Sequence, residues 1–134
     1  IVQDGEGATK FVTVKVDGAG SDRDAKVIAM AVANSLLVKT AIFGADPNWG
    51  RIVSAVGYAG VKVDPREIAV RIQGLDVVEG GIQARSFTES SLHDALTNKE
   101  IAIDITVGAG QGRFMVWTTD LSHKYVEINA QYRT

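Results

Sequence analysis

The sequence contains no cysteine in its 134 residues. That removes disulfides, thiolate catalysis and cysteine metal sites together. It also lacks a basic block. Fourteen Lys and Arg stand against 16 Asp and Glu, for a net charge of −2, and they form no patch of the kind that grips phosphates. Nucleic acid is therefore not an expected partner. Long apolar runs are missing too. Lys, Asn or Gly interrupts each stretch well short of the roughly 20 residues a membrane-spanning helix needs. Neither a membrane role nor a secretory leader is expected. Histidine is scarce, and His93 and His123 lack ligand spacing to each other, so no metal is expected. There is no internal repeat. What remains, 46% hydrophobic and 22% charged, is the composition of a soluble globular chain with a real core. A cytoplasmic location, or the mitochondrial matrix in a eukaryote, fits that composition.

Hydrophobic periodicity divides the chain into elements. Val12, Val14 and Val16 alternate with Phe11, Thr13 and Lys15, which predicts a strand with one apolar face. Asp17-Gly18-Ala19-Gly20 turns it, and Ser21 is placed to cap a helix. Ala25, Ile28, Val32 and Leu36 follow at helical spacing, predicting a helix over 22–36. The apolar run 38–43 reads as a strand or an extended link. A second helix is predicted to start at Pro47, capped by Asp46 and showing Trp49, Ile52, Val53 and Val56 on its apolar face. Beyond Pro65 the pattern turns to strands: 67–72, a glycine-punctuated hairpin near 74–81, then 100–107, 113–118 and 124–128. A short helix with Thr88 as its cap lies between them. Strands with one polar face predict an α+β fold with a mixed, largely antiparallel sheet and helices packed on one side. A boundary is expected near Gly60 to Pro65.

Several residues invite chemistry. Gly44-Ala45-Asp46-Pro47-Asn48-Trp49-Gly50-Arg51 carries more polar and aromatic detail than a helix start requires. Gly50 alone costs a helix about 1 kcal/mol relative to Ala, which implies close packing or a nearby ligand. Glu6, between Gly5 and Gly7, is either a solvated acid on a surface turn or a carboxylate that a ligand can approach closely. Asn129 offers both an amide donor and an acceptor. Lys39 and Thr40 read as the end of the first helix, with the cation favoured by the dipole there. Gly108-Ala109-Gly110-Gln111-Gly112 imitates a phosphate loop. It opens no helix, however, and reads as a flexible hairpin.

Five segments in order resemble the C-terminal part of one enzyme family. They are Asp4-Gly5-Glu6-Gly7-Ala8-Thr9-Lys10, Leu37-Val38-Lys39-Thr40-Ala41-Ile42-Phe43-Gly44, the segment 44–51, Trp117-Thr118-Thr119-Asp120-Leu121, and the closing 125–134. The family is the ornithine acetyltransferases, also called bifunctional glutamate N-acetyltransferases, of arginine biosynthesis. The resemblance runs from end to end of the chain. It implies the ornithine acetyltransferase-like fold. Residues 1–62 would be part of the catalytic core domain of the beta chain, and 63–134 a smaller C-terminal α+β domain.

The resemblance also implies an activity. Members cleave themselves into alpha and beta chains, and the N-terminal threonine of the beta chain is the nucleophile. They transfer acetyl from N-acetylornithine to glutamate by a ping-pong route through an acetyl-threonine, without metal or organic cofactor. Ile1 has no side-chain hydroxyl. The chain is thus expected to be the C-terminal portion of a beta chain, with no catalytic residue of its own. Its partners would be the alpha chain and the rest of the beta chain, in a heterotetramer of two alpha and two beta chains. The substrate-binding residues carried over are Glu6, Asn129 and Thr134. Thr119 stands where many relatives have cysteine and reads as packing. A non-catalytic amino-acid-binding module and an aminopeptidase of related fold are the alternatives.

Overall fold

The computed structural model describes residues 10–119 and the backbone of 126–127. Seven strands form one sheet in the order β4-β3-β2-β5-β1-β6-β7. They are β1 (Phe11–Ala19), β2 (Ala69–Ile72), β3 (Leu75–Glu79), β4 (Ile82–Gln83), β5 (Glu100–Thr106), β6 (Gly112–Thr119) and β7 (Val126–Glu127). Only β1 and β5 run parallel; every other neighbouring pair is antiparallel. The mixed, largely antiparallel α+β sheet is therefore as the alternation predicts.

The alternation also sets the core. Ile72, Ile103, Val14 and Val116 lie side by side across four strands, and Val70, Ile105, Val16 and Phe114 form the next row. All eight are buried. Four helices cover that face: α1 (Asp22–Ala33), α2 (Leu36–Phe43), α3 (Gly50–Gly57) and α4 (Glu89–Leu96). Ile28, Val32, Ile42, Val56, Leu92 and Leu96 enter the same core as the strand residues. Residues on both sides of the expected 62/63 boundary share this sheet and this core. The other face carries Phe11, Thr13, Lys15, Met115 and Trp117, all half-buried. The Phe11 and Trp117 rings stack there at 6.4 Å. Among the described residues no single helix is long and apolar enough to cross a membrane.

Five local readings are corrected. The first helix stops at Ala33 rather than Leu36. Ile28 and Val32 keep the helical period into the core, but Leu36 is 65% exposed. Ser35 starts a separate helix instead, its hydroxyl accepting from the Val38 N–H at 3.2 Å. The apolar run 38–43 is accordingly helix α2 and not a strand. Lys39 lies inside that helix rather than at the end of α1.

The next helix starts at Gly50, not Pro47. Asp46 makes no cap, and Trp49 occupies the cap position without capping the helix through its side chain. The 46–49 backbone closes on itself, with Asn48 N–H donating to Asp46 O at 2.7 Å and Trp49 N–H to Pro47 O at 3.1 Å.

The glycine run 108–112 is not a hairpin. It joins β5 to β6, which flank β1 instead of pairing, so it must arch over the end of β1. Val107 N–H bonds Asp17 O and Gly110 N–H bonds Gly18 O, each at 3.0 Å. A Cβ on Gly110 would strike the Ala19 carbonyl, and one on Gly112 the Ser21 backbone. The glycines are there because two backbones touch.

Candidate functional site

Glu6, Asn129 and Thr134 lie outside the described residues, as does His123. The described residues nonetheless fix where their segments attach. Lys10, which ends the Glu6 segment, is only 8% exposed. Its ammonium donates to the Ile42 carbonyl at 2.5 Å. A buried ammonium without an acceptor would be costly, and the last-turn carbonyls of a helix lack intrahelical donors. Ile42 sits in that last turn of α2, and its carbonyl accepts the ammonium beside the Ala45 N–H at 3.1 Å. The next residue, Phe11, opens β1, and its N–H bonds Lys99 O at 2.7 Å.

Phe11 pairs with Thr119 at the far end of β6. Val126 and Glu127 pair with Thr118 and Trp117 on the other side of β6. The segment ending at Lys10, the segment beginning at Trp117 and the closing segment therefore all attach at one end of the sheet. α2 joins them through Ile42. Described residues of four of the segments that carry the family resemblance, Lys10, Ile42, Trp117 to Thr119 and Val126 to Glu127, thus meet at one end of the sheet.

The connection from α2 to α3 is held from several sides. Ala45 adopts a left-handed φ of 52°, which costs a residue with a Cβ. Asp46 N–H bonds Ala41 O at 2.8 Å on one side of it. The Ala45 carbonyl meets His93 Nδ1 at 2.8 Å on the other. A carbonyl only accepts, so that ring nitrogen carries a proton. Arg51 Nη1 reaches back to Leu37 O at 2.9 Å, tying α3 to α2. Trp49 Nε1 donates to Gln83 Oε1 at 3.3 Å. Asp46 and Asn48 are left exposed at the rim of this turn. A Cβ on Gly50 would come within 3.3 Å of Asn48 Oδ1, an approach the exposed Asn48 side chain can relieve by a small shift.

Beneath the turn lies a seam lined by Val38, Ala41, Ile52, Ile72, Leu92 and Ile103, enclosing about 10 Å³. That is at most room for one water. The motif thus caps closed core and offers its polar residues outward. A substrate-sized pocket at this end needs further walls.

Lys39 is 5% exposed, a second buried cation on α2. Sequence reasoning placed it on a helix end and missed its burial. It also missed His93, whose partner is a backbone carbonyl 48 residues away. Ser35 is a helix cap and not a nucleophile. Thr119 is 1% exposed and therefore packed. The Arg66 guanidinium beside Asp64 holds that carboxyl below the usual range; Arg66 is exposed and Asp64 half-buried. They stabilise the 3-10 turn 65–67 and lie apart from the motif segments. Among the described residues, no three His, Asp or Glu side chains gather in a way that could hold a metal ion.

A protein-family model described as the ArgJ family matches residues 1–134. The chain is 53% identical over its full length to the arginine biosynthesis bifunctional protein ArgJ of Geobacter sulfurreducens. It is 47% identical, again over its full length, to the protein of the same name from Zymomonas mobilis. It covers 34% and 33% of those proteins, about a third of their length. The crystal structure of the arginine biosynthesis bifunctional protein from Bacillus halodurans superposes with a TM-score of 0.85 at 37% identity. That match spans 92% of this chain and 58% of the other.

Proposed function

The chain belongs to the ArgJ family, and from that premise we propose that it forms one wall of a site passing an acetyl group from N-acetylornithine to glutamate. What supports this reading is that described residues of four motif segments, Lys10, Ile42, Thr119 and Val126, stand at one end of the sheet, around the Phe11–Thr119 pair.

The nucleophile is an N-terminal threonine on another segment of the assembly. Its own amine takes the hydroxyl proton as the oxygen attacks the acetyl carbonyl. Donors from the alpha chain stabilise the oxyanion. The C–N bond then breaks, ornithine leaves with a proton on its amine, and the acetyl stays as a threonine ester. The amine of glutamate attacks that ester in the second half-reaction and releases the hydroxyl. Glu6 faces the reacting amine, where a carboxylate can take up and return its proton. Asn129 and Thr134 hold the amino-acid end shared by both substrates. No cofactor enters. The working unit is a heterotetramer of two alpha and two beta chains.

Intact-mass analysis of the purified assembly, with and without N-acetylornithine, tests this. A polypeptide beginning with threonine is expected beside this sequence, and it gains one acetyl group that glutamate removes. No acetylated species in an intact assembly favours the amino-acid-binding module or the aminopeptidase instead.

A further inference from the structure

The helix α2 buries one side and leaves the other apolar in solvent. Val38, Ala41 and Ile42 enter the core. On the opposite side Leu36 is 65% exposed, Leu37 61% and Phe43 47%. Leu36, Thr40 and Phe43 stand at i, i+4 and i+7, one above another on the helix, with Leu37 beside them. Thr40 adds little polarity to this face, because its hydroxyl donates to the Leu36 carbonyl of its own helix at 2.7 Å. No charge offsets it either, since Lys39, the one charged residue of α2, is buried. A helix that is apolar on every side is ordinarily covered on every side. The other exposed large apolar residues, Val27, Tyr58, Leu75 and Ile82, stand singly on separate parts of the fold, as is common on protein surfaces.

We propose that the outer face of α2 is a docking surface, and that its occupant is an apolar surface of the rest of the family protein. This chain spans only about a third of its relatives, so roughly two-thirds of their length lies outside it. A second copy of this chain is the weaker occupant. Eight helical residues make a face about 12 Å long and about 10 Å wide. A stable dimer needs roughly 800 Å² from each partner, several times that footprint. An apolar face this small suits the centre of a larger interface, with polar residues around it. The exposed Asp46 and Asn48, on the turn that leaves α2, are in place to form part of that rim. α2 also stands at the motif end of the sheet, where the proposed site needs further walls. The surface holds whichever chemistry that site performs.

Photo-crosslinking in the full-length, assembled protein tests this. Phe43→p-benzoylphenylalanine keeps an aromatic ring on the exposed face. After irradiation, mass spectrometry of the digested protein locates the partner peptide. The larger share of cross-links is expected to fall on peptides from outside residues 1–134. Cross-links confined to 1–134, whether in the same copy or a second one, overturn the proposal. If that variant does not assemble, Leu36→p-benzoylphenylalanine takes its place under the same criteria. No cross-link in an assembled variant also overturns it. Acetyl transfer by the unsubstituted assembly is measured separately. Cross-links as expected without transfer keep the surface and remove the reading above. Transfer with cross-links only inside 1–134 does the reverse.

Discussion

Single residues in this chain mostly answer to backbone groups. His93 and Lys10 bond carbonyls of Ala45 and Ile42, and Arg51 bonds that of Leu37. A sequence shows side chains, whereas a carbonyl acceptor has no residue type. These ties were therefore not legible, although each residue was visible as polar or charged. Glycine shows the same blindness. The run 108–112 looked like freedom and proves to be contact. Substituting Gly110 tests that reading. A Cβ there meets the Ala19 carbonyl and threatens the bond from Gly110 N–H to Gly18 O. Overpacking of this kind costs about 1–3 kcal/mol. At Gly57, the last residue of α3, a Cβ meets nothing within 4 Å. Gly57→Ala should be neutral or gain up to about 1 kcal/mol from helix propensity. Urea denaturation of the two variants should thus give opposite or clearly unequal shifts. Equal stability for both would show that the loop does not need its close approach to β1.

At the scale of elements, the strands and the short helix capped by Thr88 were legible and α2 was not. Val12, Val14 and Val16, and Ile101, Ile103 and Ile105, alternate cleanly because one face of the sheet is covered and the other is not. α2 gave no such signal. Leu36, Leu37 and Phe43 are exposed while Val38 and Ile42 are buried, so apolar residues occupy both sides of an eight-residue helix. With no polar face, 38–43 read as a strand or an extended link. The deciding residue is Ser35, whose hydroxyl takes the Val38 N–H and stops the chain from continuing α1. Ser35→Ala should cost about 1 kcal/mol, within the 0.5–2 kcal/mol range of lost N-caps. Chemical denaturation of the variant measures it. A cost below a few tenths would mean that burial of Val38 and Ile42, and not the cap, makes α2 a helix. The start of α3 carries a related lesson. Asp46-Pro47 has the chemistry of a helix start, yet the chain folds two tight turns first. Ala45 enters in a left-handed conformation, and Asp46 N–H is already committed to Ala41 O.

For the molecule as a whole, the fold class was readable because alternation on one face and helical periods between strands leave few architectures. Strand order was not. Nothing local says that β5 pairs with β1 in parallel, so that the chain from β5 must cross β1 to reach β6. The candidate site divided in the same way. Its segments were named by resemblance, and the meeting of Lys10, Ile42, Thr119 and Val126 at the Phe11–Thr119 end became visible only in the structure. The seam under the α2–α3 turn is too small for a substrate, so the account requires walls from beyond this chain. Its central claim is that this wall brings the Glu6 carboxylate to the reacting amine. The most direct measurement is steady-state acetyl transfer from N-acetylornithine to glutamate by the full-length assembly carrying Glu6→Gln. The substitution keeps the shape and removes the charge. The account predicts unchanged assembly and a turnover reduced at least tenfold, about 1.4 kcal/mol or more of transition-state stabilisation. Wild-type turnover in that variant would contradict it and leave Glu6 a solvated acid on a surface turn.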